Sequence, residues 1–245
     1  MSITLHQFEM SHFNDKARWA LAFKGLEHTR ESYLPGPHMV LIRRLSGQVQ
    51  TPVLVVDNDT IPGTAAIIDR LERDHPTPAL YPSDPAERAE ALAVQERFDN
   101  EVGPATRTVI FSELINEDAY LASMFGGSVS ALKRSLYRAS LPLAKPMIAK
   151  GNGTADPENV RRCLERTQVA LDEIAERTVA TGFMVGDSFS VADLTAAALM
   201  APISNPTHPD MARPQPVPPS IQALVSNYAD HPAVGWVNRM YAEHR

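Results

Sequence analysis

The feature that most constrains this chain is the point at which its strands stop. Ile3-Thr4-Leu5-His6-Gln7-Phe8 alternates apolar and polar residues, as a half-buried strand does. Asn14 to Lys24 then carries Ala17, Leu21 and Ala22 on one helical face, and Gly25 sits where a C-terminal capping glycine belongs. Thr29 to Leu34 reads as a second short strand, halted by Pro35-Gly36-Pro37. Met39 to Leu45 reads as a short helix ending at Ser46-Gly47. Val53-Leu54-Val55-Val56 is a third strand, Asp57-Asn58-Asp59 is turn chemistry, and Thr60-Ile61 begins a return strand. Thr64 to Arg73 is helical again, with Ile67, Ile68 and Leu71 inward. The predicted order is β-α-β-α-β-β-α, and no strand is predicted after it.

The rest of the chain reads as helix. Ser83-Asp84-Pro85 with Glu87 is a helix start: a capping acid, proline at the first turn and a second acid within that turn. Long helical stretches are predicted over 86–118 and 118–149, broken by Gly151-Asn152-Gly153. Asp156-Pro157-Glu158 restarts a helix to about residue 180. Ser190-Val191-Ala192-Asp193 is a capping box ahead of Leu194 to Met200. Residues 202–219 hold seven of the chain's 20 prolines, which predicts an extended connector rather than a helix. Two helical segments close the chain. The stretch Asp74 to Ser83, rich in proline and polar residues, predicts a division into an α/β domain over residues 1–78 and an all-helical domain over 84–245.

Composition narrows the function classes. The 245 residues are 44% apolar and 21% charged, enough to build a core. A net charge of −6 without a run of Lys or Arg disfavours nucleic acid and anionic membrane as partners. The start MSITLHQFEM has no basic segment followed by an apolar one, and no stretch approaches ~18 consecutive apolar residues. A soluble, cytoplasmic protein is expected. The one cysteine, Cys163, falls among Val160, Leu164, Leu171 and Ile174 at helical spacing and reads as a small core residue. No histidine pair has metal-ligand spacing, His208 and His231 being far apart, so no metal is expected. Without a Gly-rich phosphate loop or a Gly-X-Ser-X-Gly elbow, kinase, dehydrogenase and hydrolase readings have no anchor.

The stretch SHFNDKARWAL at 11–21, Thr51-Pro52-Val53-Leu54 and the Ile61–Leu71 helix entry together resemble the N-terminal domain of the glutathione transferases. The first matches that family's Ser or Cys opening helix one, an aromatic two residues on, and a basic-X-Arg pair, here Ser11, Phe13 and Lys16-Ala17-Arg18. Thr51-Pro52 resembles its cis-proline strand entry, and Ser190–Asp193 the capping box of its helical domain. The resemblance covers essentially all of residues 1–245. It implies a thioredoxin-like α/β domain followed by an all-helical bundle, glutathione as co-substrate, a small hydrophobic electrophile as second substrate, detoxification chemistry and a homodimer.

A thiol of pKa about 8.5 is only slightly ionised at neutral pH, and the thiolate is the nucleophile. Lowering the pKa by about two units takes about 2.7 kcal/mol, and a hydrogen bond to a charged group is worth about 1.5–3 kcal/mol. One hydroxyl on the first turn of a helix can therefore supply the shift, and Ser11 holds that position. From position alone Ser11 is equally a plain N-cap; the resemblance implies a catalytic role, and the two are compatible. An oxygen at position 11 offers no sulfur for a mixed disulfide.

The resemblance further implies that glutathione's backbone pairs with Thr51, the residue before Pro52. Family members hold the γ-glutamyl end with an acid-Ser pair opening the third helix. Here that pair reads Gly63-Thr64, which keeps the hydroxyl and lacks the acid. His38 falls near the slot of a basic group for the glycyl carboxylate, although a loop histidine is more often solvated, and Gln50 could also reach the tripeptide. Met10, His12, Phe13, Arg107 and Phe111 are candidates for the electrophile pocket, with ordinary core packing as the alternative for the Met and Phe residues. Two functions are compatible with these residues: a transferase that adds the glutathione thiolate to an electrophile, favoured by Ser11, or a non-catalytic ligand- or protein-binding member, favoured by Gly63.

Overall fold

A computed structural model describes residues 2–127 and 129–245. The first part is a four-stranded sheet of β1 (Ile3–Gln7), β2 (Thr29–Ser32), β3 (Val53–Val56) and β4 (Asp59–Pro62), in the order β2-β1-β3-β4. β1 runs parallel to β2, with Leu5 opposite Arg30, and antiparallel to β3, with Leu5 opposite Leu54. Helix α1 (His12–Phe23) makes the crossover a parallel pair requires. The β3–β4 hairpin turns through Asp57 at φ 52, a backbone setting that aspartate tolerates better than most residues. Helices α2 (His38–Ser46) and α3 (Thr64–Asp74) complete the predicted β-α-β-α-β-β-α order.

The helical part comprises α4 (Pro85–Arg97), a π turn (Phe98–Val102), α5 (Gly103–Leu114), α6 (Asp118–Phe125), α7 (Ala131–Gly151), α8 (Pro157–Arg177), α9 (Val191–Ser204), α10 (Pro219–Ser226) and α11 (Pro232–His244). The caps form as their sequences demand. The Asp84 carboxylate accepts from the N–H groups of Ala86 and Glu87 at 2.9 and 3.0 Å, and Asp156 accepts from Glu158 at 3.0 Å. Asp193 accepts from the Ser190 N–H at 2.9 Å and, with its other oxygen, from Met184 at 2.7 Å. Burial raises the Asp193 carboxyl to about 6 against those hydrogen bonds.

Two helical expectations need correction. The stretch 118–149 is two helices, because Gly126 and Gly127 lie outside both and glycine is a poor helix former. α9 runs on to Ser204 with Pro202 inside its last turn, so the irregular connector starts at Asn205 and contains a short 3-10 turn at Pro209–Met211. The π turn carries a physical reason. Pro104 lacks an N–H and its ring crowds the carbonyl four residues earlier, so a wider turn there relieves both problems.

One core joins the two parts. Leu5, Trp19, Leu54 and Ile67 from the sheet side pack in the same cluster as Phe98, Leu171, Leu194 and Trp236. α9 is apolar all round and buried along its whole length, as a central helix must be. α1 lies between the sheet and α9, and this position buries even its charged residues. Lys16 reaches Asp99 with both contacts at 2.7 Å, Arg18 donates to Gln7 at 2.8 Å, and the Trp19 indole N–H donates to the His244 carbonyl at 2.8 Å. Cys163 is buried on α8 beside Ala105, Val109 and Ile203, as expected of a core residue.

Candidate active site

A cavity of about 1370 Å³ opens between the loops at one end of the sheet and helices α5 to α7. Ser11, His38, Gln50, Thr51, Gly63 and Thr64 line it from the sheet side, together with Pro52. Met10, His12, Phe13, Arg107 and Phe111, the residues expected around the second substrate, line it as well. The sequence-based candidates are thus brought to one place, but their side chains differ in what they are free to do.

Ser11 is the N-cap residue of α1, with extended backbone at φ −109 and ψ 124, and its carbonyl accepts the first helical bond from Asp15 at 2.8 Å. Its side chain caps nothing: among the described residues the hydroxyl has no hydrogen-bond partner. The N-cap reading therefore holds for the backbone and leaves the hydroxyl available. A hydroxyl at that point can donate to an anion near the helix N-terminus.

The Thr51–Pro52 peptide is cis, as the family pattern implies. The Thr51 hydroxyl accepts from the Asn14 amide at 3.2 Å, which fixes that side chain from behind. The backbone N–H and C=O of Thr51 pair with no other described backbone group, which leaves them for a ligand. Asn14 was missed in the sequence, although it sits three residues after Ser11 and so shares a face of α1 with it.

At α3, Gly63 has φ 87 and no side chain to cap with, so the N–H groups of Thr64, Ala65 and Ala66 have no partner within the helix. All three residues line the cavity. That arrangement suits a carboxylate. The carboxylate that family members place at position 63 has no counterpart there, and Asp99, the one acid among the described lining residues, is paired to Lys16.

Both lining histidines are hydrogen-bonded within the protein. His38 accepts at Nδ1 from the Gly36 N–H at 3.0 Å and donates from Nε2 to the Val49 carbonyl at 2.9 Å. Burial lowers its pKa, so the ring is neutral, holds the loop before β3 and has no N–H left for a glycyl carboxylate. His12 donates from Nε2 to the Gly103 carbonyl at 3.0 Å, and burial, helped by the nearby Arg107 charge, pushes it down to about 3. It ties α1 to Gly103 while remaining part of the cavity lining. Phe13 packs against Gly103, where a Cβ would come within 2.6 Å of the ring, so this helix position is glycine for a steric reason.

The remaining wall is apolar and aromatic. Phe8 meets His38 edge-on at 4.6 Å and Phe125 at 5.9 Å, and Phe111 lies 6.2 Å from Phe125. Met10 and Phe111 are half-buried members of that cluster, so they serve as packing and as wall together. Gln50 is exposed at the rim. Arg107, on α5, has no ion-pair partner among the described residues, and burial lowers its pKa. No group of three His, Cys, Asp or Glu able to hold a metal occurs among the described residues.

Comparison with known proteins fits this geometry. Residues 5–79 match the family model for the glutathione S-transferase N-terminal domain. A glutathione S-transferase of Pseudomonas putida is 28% identical over 155 residues, covering 63% of this chain and 65% of the relative. A probable maleylacetoacetate isomerase of Caenorhabditis elegans is 26% identical over 123 residues, covering 49% of this chain and 58% of the relative. The chain thus spans less than two thirds of the length of these curated relatives. Among solved structures, the beta-etherase LigF of Sphingobium superposes with a TM-score of 0.62 at 18% identity, covering 98% of this chain and 99% of that one. A glutathione-bound glutathione S-transferase of Methylobacillus flagellatus gives 0.64 at 14% identity, covering 99% and 95%. Such identities speak for the fold, and the N-terminal match speaks for the family. Residues 5–79 are thus similar to the glutathione S-transferase N-terminal domain, and the chain as a whole shares the fold of these solved structures.

Proposed function

We propose that this protein is a glutathione transferase that ionises the glutathione thiol at Ser11 and directs the thiolate at an electrophile held under α5 to α7. The observation that carries this reading is the unpartnered Ser11 hydroxyl at the N-terminus of α1, facing the same cavity as the free backbone of Thr51 and the α3 N-terminus. The tripeptide's backbone would pair with Thr51, and its γ-glutamyl carboxylate would accept from the Thr64, Ala65 and Ala66 N–H groups and the Thr64 hydroxyl. Ser11 would then donate to the sulfur, favouring thiolate over thiol. Orientation of the two substrates supplies the rest of the rate. The N-terminal domain is taken as residues 1–78 and the helical one as 84–245, in a cytoplasmic homodimer.

The second reading is a non-catalytic binding member. Gly63 favours it, because the glutathione ammonium finds no acid there, and so does His38, whose ring nitrogens are both used within the protein. Calorimetric titration with glutathione separates the two. Saturable binding, with a rise in thiolate ultraviolet absorbance on the wild-type protein, is the expected result; no binding at about millimolar ligand, where affinity would contribute about 4 kcal/mol, leaves the second reading.

A further inference from the structure

We infer that the second substrate is an acid: an electrophile whose carboxylate is anchored on the Arg107 guanidinium while its apolar body lies on the aromatic wall. This rests on reading the cavity as the substrate site of a transferase, and it adds an acid group to the small hydrophobic electrophile expected from the sequence.

The cavity wall gathers positive charge, on half-buried Arg107 and Arg213 and exposed Lys133. The chain carries a net charge of −6, yet the described lining of the cavity has three cationic side chains, Arg107, Lys133 and Arg213, against the single carboxylate of Asp99. Asp99 is turned to the fully buried Lys16, with both oxygens at 2.7 Å from its ammonium, so it does not neutralise the others. Arg107 has no ion-pair partner among the described residues, and its Nε is buried without a hydrogen-bond partner. Arg213, in the proline-rich connector, donates to the Pro202 carbonyl at 2.6 Å and meets no described carboxylate. A guanidinium stays protonated, so half-buried Arg107, facing the cavity without an anion, is a place where a ligand carboxylate is favoured. Its planar fork matches a carboxylate in two parallel hydrogen bonds.

Position separates this anion from the carboxylates of glutathione. Arg107 lines the cavity from α5 in the helical part, whereas Thr64, Ala65 and Ala66 line it from the sheet part, and the Arg107 charge acts on His12, the neighbour of Ser11. An acid held there is presented to the sulfur from the helical side. For an unsaturated keto acid the step would be conjugate addition. The thiolate sulfur bonds to the alkene carbon β to the ketone, and the π pair moves onto the ketone oxygen as an enolate. The enolate carbon then takes a proton from water. The thiol proton has already gone to solvent, so the sum is addition of glutathione's S–H across the double bond, with the carboxylate unchanged on Arg107.

The test uses an unreactive acid and no glutathione, so its failure is distinct from failure of the transferase reading. β-Benzoylpropionic acid and its methyl ester are titrated calorimetrically into wild type, Arg107→Met and Arg107→Lys. The acid is expected to bind wild type about tenfold or more tightly than the ester, the ratio one hydrogen bond to a charged group gives. That preference should vanish in Arg107→Met and return in part in Arg107→Lys. Equal affinities of acid and ester for wild type overturn the inference, whether or not the variants fold. An acid preference intact in a folded Arg107→Met overturns it too.

Discussion

His12 Nε2 donates to the Gly103 carbonyl at 3.0 Å, joining the first turn of α1 to the end of the π turn across 91 residues of sequence. The same glycine accepts the edge of Phe13, so two consecutive residues after Ser11 dock on one helical turn. This contact fixes where Ser11 stands relative to α5. It also makes His12 a group whose protonation opposes folding.

The direction of that effect is set by its pKa. His12 is lowered to about 3 in the folded protein, chiefly by burial, from 6.5 in the unfolded chain. Above the unfolded value both states are neutral and nothing is lost. As pH falls through the window between the two values, the unfolded chain takes up a proton that the native protein refuses, and stability declines by about 1.4 kcal/mol per unit. Asp193, raised to about 6, pulls the other way, and the remaining shifted histidines pull with His12. A comparison with His12→Gln isolates the one residue. Urea unfolding at about pH 7 and about pH 5 should show wild type losing about 2 kcal/mol more than the variant. Parallel losses in the two proteins would mean that His12 does not set the acid sensitivity.

Ser11→Ala separates catalysis from capping. An ordinary N-cap serine lost to alanine costs about 0.5–2 kcal/mol, but here the side chain accepts no helical N–H. Stability should therefore change by less than about 0.5 kcal/mol. The thiolate absorbance of bound glutathione should fall, and kcat/KM should drop about 10- to 100-fold, as loss of one hydrogen bond to a charged group predicts. A variant that is destabilised while its turnover is unchanged would return Ser11 to a structural role.

The homodimer is checked by mass. Family resemblance motivates it, and the structure narrows where it could form. Val94 and Phe98 are buried in the chain's own core, so they cannot supply an interface. The exposed residues of α3 and α4, Asp69, Arg73 and Glu87 among them, remain for a two-fold contact. Sedimentation equilibrium at micromolar protein should report about twice the 26.9 kDa of one chain. The single-chain mass across the whole range would rule the dimer out without touching the fold.

The sheet domain was legible because its signals are local. Alternation in β1, the Asp57 turn and the Gly25 and Gly47 caps each act within a few residues. The burial of α1 was not legible. Lys16 and Arg18 stood in the sequence only as the motif's basic pair, and their partners Asp99 and Asp210 lie 83 and 192 residues away. The site shows the same division. Ser11, Thr51 and Thr64 could be placed by their motif, whereas His38 looked like a free base until the Val49 carbonyl and Gly36 N–H were seen on its ring. Arg213 belongs to an irregular connector with no period to read, and Asn14 was one more polar helix residue until Thr51 stood beside it.

The Lys16–Asp99 pair offers the sharpest test of how the two parts are joined. The Lys16 side chain is fully buried, and burial lowers its ammonium pKa while the Asp99 charge and hydrogen bonds raise it. Removing the anion leaves a buried cation without its partner. Asp99→Ala should therefore cost about 3–5 kcal/mol, the usual penalty for breaking a buried pair from one side. Replacing both partners with apolar residues, Lys16→Met with Asp99→Ala, removes the charge as well as its partner. That double variant should be more stable than Asp99→Ala alone, and the cycle completed with Lys16→Met should give a coupling of about 0.5–3 kcal/mol. Urea unfolding of the four proteins measures it. Because Asp99 sits in the π turn that sets Gly103 and Pro104, the single variant should also loosen the His12 contact, seen as faster amide exchange in the first turn of α1. Additive losses, with exchange in α1 unchanged, would mean that the pair is incidental to the junction and that the apolar cluster around Trp19 and Phe98 holds it alone.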